Sequence, residues 1–156
     1  MANPLLNPKN YAKITGLALA ATAVLGIALS SMGTNGEYGL FCNSPSATTC
    51  EGDASHKSFL GFDWTHNIVH VVLASIALLV GFAGFGVNYA RPYAQVFGAI
   101  YTALGITGFI VSDLGILHLE VGENLVHLAV GGYGLLAGFL GTMTPTPSPA
   151  VAPARR

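Results

Sequence analysis

Residues 67–87 read NIVHVVLASIALLVGFAGFGV and residues 124–143 read NLVHLAVGGYGLLAGFLGTM. Each stretch opens on Asn-x-x-His and stays apolar for about the twenty residues an α-helix needs to cross ~30 Å of hydrocarbon. The match runs on as Leu78-Leu79-Val80-Gly81-Phe82 against Leu135-Leu136-Ala137-Gly138-Phe139, so one spanning segment is written twice. Two further apolar runs, about Ala12 to Met32 and Ala94 to Asp113, match more weakly: Tyr11-Ala12-Lys13-Ile14-Thr15-Gly16 faces Tyr93-Ala94-Gln95-Val96-Phe97-Gly98, and Gly26 faces Gly108. The unit is a helical hairpin used twice. Each hairpin leaves and regains the same side, which predicts an all-α four-helix transmembrane bundle of two parallel hairpin repeats.

Charge is sorted between the connections. Lys9, Lys13, Arg91, Arg155 and Arg156 flank the first run, lie between the second and third, or follow the fourth; Lys57 is the exception. All seven carboxylates (Glu37, Glu51, Asp53, Asp63, Asp113, Glu120, Glu123) fall in or beside the other two connections. Basic flanks are retained on the cytoplasmic side during insertion, so both termini and the Arg91 turn are expected in the cytoplasm of a bacterial inner or photosynthetic membrane. With 8% charged residues and a mean hydropathy of +0.59, the chain is too apolar for a water-soluble domain, and no basic patch suggests nucleic acid.

The expected organisation is a cytoplasmic N-terminus over residues 1–11 and a membrane domain over 12–143, with spans near 12–32, 67–87, 94–113 and 124–143. An outer loop covers 33–66, and a Pro-rich cytoplasmic tail over 144–156 carries Pro145, Pro147, Pro149 and Pro153. The first run also resembles a secretory signal ending near Ala28-Leu29-Ser30, but its repeat partner argues for a retained span. Asn88 to Tyr93 is expected to form a tight turn, with Pro92 ending the second helix. Cys42 and Cys50, seven residues apart on the oxidising side, are expected to form a disulfide.

The copied spans carry a small-residue stripe. Gly81 and Gly84 in one, and Gly131, Gly134, Gly138 and Gly141 in the other, recur at spacings of three and four below the polar pair. Lipid gives helices no hydrophobic reason to associate, so such stripes allow close backbone packing, here expected between spans two and four, with a grip on span one or three as the alternative. At the outer end, Asn67 with His70 and Asn124 with His127 read first as polar clamps. If spans two and four pair, His66, His70, Glu123 and His127 also converge as a competent set for zinc, copper or ferrous iron. Haem or (bacterio)chlorophyll on His70 and His127 is a further alternative. No nucleophile turn, HExxH, Walker loop or dinucleotide fingerprint is present, so no enzyme is expected.

The doubled motif, Asn67-Ile68-Val69-His70 and Glu123-Asn124-Leu125-Val126-His127, resembles an uncharacterised group of small four-helix bacterial membrane proteins known only as a domain of unknown function. The resemblance covers roughly Tyr11 to Met143 and implies the fold but no activity. The expected role is a non-catalytic accessory or assembly subunit, in a bilayer with other membrane subunits or copies of itself and no resident cofactor. A cofactor protein using His70 and His127 is the alternative, and a small carrier or channel comes third.

Overall fold

The computed structural model describes residues 3–32, 38–40, 49–50, 59–83, 86–111, 114 and 119–143. After a short 3-10 turn, Pro4–Leu6, the chain forms α1 (Pro8–Met32), three short strands β1 (Tyr38–Leu40), β2 (Thr49–Cys50) and β3 (Leu60–Phe62), then α2 (Trp64–Phe82), α3 (Gly86–Ile110) and α4 (Val121–Leu140). Pro8 opens α1 because a first-turn residue has no amide to lose and its φ is already helical. The Asn7 side chain accepts from the Lys9 amide at 2.9 Å.

Three helical stretches, Pro8–Met32, Trp64–Phe82 and Tyr89–Ile110, are long and apolar enough to cross a membrane. The fourth has 20 residues, and Glu123, Asn124, His127 and its glycines dilute its hydropathy. Large apolar side chains point outward all round, among them Leu17, Val24, Ile76, Val96, Ile106 and Phe139. An apolar exterior on this scale is a liability in water, whereas acyl chains solvate it.

Two expected boundaries move. Residues Asn88 to Tyr93 do not form a turn; they lie within α3, with Pro92 inside that helix. The second helix ends instead at Phe82, where Ala83 turns extended. Gly81, Gly84 and Gly86 are poor helix formers and cluster about this break. At the other end, α2 and α4 begin before the Asn-x-x-His motif rather than on it. The Asp63 side chain accepts from the His66 amide at 2.8 Å, and Glu123 turns back to the Glu120 amide at 3.3 Å. These acidic residues satisfy first-turn amides and favour the helix dipole, which places His66 and Glu123 inside their helices.

The glycine stripes do not join spans two and four. The closest packing is α1 on α2 and α3 on α4. A Cβ at Gly16 would press on Leu78 and one at Gly81 on Lys13; in the second hairpin, Gly98 meets Leu135 and Gly138 meets Gln95. Gly131 faces Thr102, Gly134 faces Tyr11 and Gly98, and Gly141 faces Leu6 and Pro8. Gly84 lies outside the described residues. Small residues sit where backbones meet, mostly against the neighbouring helix of the same hairpin, while Gly134 and Gly141 also meet the start of the chain and of α1.

Between the hairpins runs an aromatic core. Tyr93 stacks on Phe97 and Phe97 on Tyr101, with centroids 4.9 and 4.4 Å apart, while Tyr11 meets Tyr133 edge-on at 5.0 Å. At the basic end, Arg91 donates to the carbonyls of Gly138 and Gly141 (3.4 and 2.8 Å), closing the C-terminus of α4 with a cation. The opposite end is covered by the antiparallel sheet, in the order β2-β1-β3. The sequence pattern predicts only an outer loop here.

A candidate metal centre beneath the sheet

In each hairpin the even helix sends an asparagine into a glycine of the odd one. Asn67 lies against Gly26 and donates to the Ser30 hydroxyl at 2.9 Å; Asn124 lies against Gly108 and donates to the Leu119 carbonyl at 3.4 Å. Both asparagines are 1% exposed. At about 100° per residue, positions one before and three after each asparagine lie on one edge of the helix, roughly 60–100° round from it. That edge carries His66 and His70 on α2, and Glu123 and His127 on α4. The asparagines therefore face α1 and α3, while the imidazoles face across the bundle.

There they meet. The rings of His66 and His70 are 4.4 Å apart and those of His66 and His127 are 6.2 Å apart. One ring nitrogen from each of the three histidines lies within 4.8 Å of the others. Tyr101 from α3 stands edge-on to His127 at 5.0 Å and 88°. Among the described residues, the Nδ1 atoms of His70 and His127 are buried without a hydrogen-bond partner. This differs from the expected clamp: the asparagines make inter-residue hydrogen bonds, and those two imidazole nitrogens make none.

Glu123 lies beside this cluster but does not join its converging nitrogens. One carboxylate oxygen accepts from the Gly61 amide of β3 at 2.9 Å; the other accepts from Glu120 and lies 3.8 Å from His66 Nδ1. Gly122 in turn donates to the Phe59 carbonyl at 2.9 Å. A single acidic side chain thus ties the start of α4 to the sheet and to the first histidine.

Three nitrogens about one point suit a single ion. Zinc–nitrogen bonds of about 2.0–2.1 Å put tetrahedral donors roughly 3.3 Å apart, so rotamer shifts of roughly 1.5 Å would close this set. A carboxylate beside a ligating histidine is the usual outer support, and Glu123 lies 3.8 Å from His66 Nδ1. A tetrapyrrole fits less well. It takes at most two axial ligands, and the adjoining cavity of about 260 Å³ is below the roughly 300–1,000 Å³ of ordinary small-molecule pockets.

Among the other sequence candidates, Cys42, His56 and His118 lie outside the described residues, and Cys50 is described only through the backbone of β2. Sequence reading missed Tyr101, although Tyr93, Phe97 and Tyr101 form a visible stripe at intervals of four. Nothing local pointed to Ser30 or Gly61, whose roles come from tertiary contact alone.

The family model for a domain of unknown function, DUF4383, matches residues 9–140. No curated protein and no solved structure matches the chain. The chain belongs to the DUF4383 family, which brings a shared fold and no assigned activity.

Proposed function

We propose that this member of the family is an integral membrane protein that holds one divalent first-row metal ion through His66, His70 and His127. Glu123 orients His66, and one coordination position stays open toward the cavity. The observation that carries the reading is the meeting of three imidazoles with two buried, unpartnered Nδ1 atoms. An unsatisfied buried polar atom costs roughly 1–3 kcal/mol, and a metal ion relieves such a cost where neutral imidazole lone pairs converge. A purely structural clamp accounts for Asn67 and Asn124 but leaves these atoms unexplained. Imidazole ligation favours zinc, copper, iron or nickel over magnesium or calcium.

The protein is a metal holder rather than a catalyst in this reading. Lys9, Lys13 and Arg91 lie at the end of the bundle opposite the sheet, so the positive-inside rule puts that end and both termini in the cytoplasm. The metal centre then faces the outer side, where it takes its ion from beyond the membrane. Association with further membrane subunits belongs to the same proposal, since the lipid-facing surface is open to them.

Purification in mild detergent through a tag free of histidine, followed by elemental analysis after incubation with Zn²⁺ or Cu²⁺, tests the centre. About one ion per chain is expected. His66→Ala, His70→Ala and His127→Ala should each lower retention at least tenfold with helix content preserved, whereas His56→Ala should not. Acidification should release the ion, because protons compete for the same lone pairs. Failure of the folded wild type to retain either ion, or equal retention in all four variants, overturns the proposal.

A further inference from the structure

The cavity beside the histidines has a definite shape. It runs along α1 from Leu25 to Thr15, ten residues or about 15 Å of helix rise, with α4 opposite. Its roof is β3, through Leu60, Gly61 and Phe62. Its floor is the place where the hairpins touch, the Tyr11 hydroxyl donating to the Val130 carbonyl at 3.2 Å. On one side it reaches Ala18, Leu25 and Val126, all exposed on the apolar exterior. The slot is thus closed above and below and open sideways toward lipid.

The walls are mostly apolar; their polar side chains are the histidine group, with Asn67, Tyr101 and Glu123 beside it, and two threonines. Thr15 and Thr22 direct their hydroxyls to the carbonyls of Tyr11 and Ala18 in their own helix, each at 2.9 Å. They therefore present little free polarity to a guest. A guest fitting this lining has a single polar group, placed at the imidazoles.

Charge sets the sign of that group. Three neutral imidazoles leave the charge of a divalent ion uncompensated in a low-dielectric setting, where isolated charge is strongly penalised, and Glu123 is not among the converging donors. An anionic donor at the open position offsets that charge.

We propose that the slot binds a single-chain carboxylate amphiphile from the bilayer, a fatty acid, whose carboxylate completes the metal coordination and whose chain lies along α1 toward Thr15. The proposal rests on the metal reading above. It adds the ligand class and the route, which is lateral from the membrane.

Copper(II) serves as a spectroscopic probe. The protein in mild detergent is loaded with Cu²⁺, and its electron paramagnetic resonance spectrum is followed while decanoate, acetate or decanol is added at fixed pH. Decanoate should perturb the copper signal at a concentration at least tenfold below acetate, and decanol should leave it unchanged. Ala18→Phe, which blocks the slot inward of the metal, should abolish the advantage of decanoate while leaving copper binding and the acetate response as they were. Equal potency of acetate and decanoate, no perturbation by either with copper still bound, or perturbation by decanol to the same degree would each overturn the fatty-acid proposal and leave the metal centre standing. Failure to bind copper in the folded protein overturns both.

Discussion

Replacing Gly26 with alanine adds one carbon atom, and the structure gives that atom nowhere to go. It would fall on the side-chain amide of Asn67, which is 1% exposed and donates to Ser30 at 2.9 Å. Two responses are open to the protein. Rotating Asn67 away breaks a hydrogen bond worth about 0.6 kcal/mol, at most about 1.7, within membranes, and buries an unpaired amide at roughly 1–3 kcal/mol. Moving α1 off α2 instead incurs an overpacking cost of about 1–3 kcal/mol. Against either stands a helix-propensity gain of about 1 kcal/mol for Gly to Ala. The net expectation is a loss of about 1–2 kcal/mol.

Gly132→Ala is the internal control, because a Cβ there meets nothing within 4 Å. It should be neutral or stabilising by up to about 1 kcal/mol. Reversible unfolding in mixed micelles of mild detergent and dodecyl sulfate, followed by circular dichroism, measures the difference. A double variant, Gly26→Ala with Asn67→Ala, removes the clashing group, so its loss should be less than the sum of the single losses by about 1 kcal/mol or more. If Gly26→Ala proves as stable as Gly132→Ala, or the double variant is additive, the glycine–asparagine lock is wrong.

Gly138→Leu should disrupt folding far more than Leu136→Phe, because Gly138 packs on Gln95 of α3 whereas Leu136 is half exposed on the lipid face; equal tolerance in a thermal assay in detergent would count against the hairpin packing. Cys42→Ser should change the mobility of the unreduced protein if Cys42 and Cys50 are bonded, and two titratable thiols in native membranes would refute the bond. In a cysteine-free background, a cysteine placed at Ser148 should react with a membrane-impermeant reagent only from the cytoplasmic side, and labelling from outside would reverse the proposed orientation.

The bundle was legible because its signals are local and repeated. Length and apolarity identify membrane helices without tertiary knowledge, and the doubled Asn-x-x-His stretch named the second and fourth before any packing was known. Helix ends were less legible. Asp63 and Glu120 read as loop charges in the charge pattern, whereas their place before a helical run makes them capping candidates, and Pro92 lies inside α3 rather than ending a helix. The partner of the glycine stripe was misassigned for a physical reason: spacing shows which residues share a face, but not which helix that face meets. The sheet was hidden because its strands have only two or three residues, too short for an alternating pattern.

The two hairpins differ most informatively where a strict copy would have been enough for folding. Asn67 and Asn124 are kept, as are Gly26 and Gly108, and these pairs perform the same packing task in each half. One residue earlier the copies diverge, with His66 in one and Glu123 in the other. Two histidines there would place four neutral rings round the point and leave an ion without a nearby carboxylate. Two carboxylates would bring like charges together beneath the sheet and reduce the imidazoles to two. One of each yields three converging nitrogens and a single carboxyl group, held by the Gly61 amide 3.8 Å from His66. The retained positions thus explain why the halves fold alike, and the divergent one gives the proposed metal centre one carboxyl group beside three imidazoles.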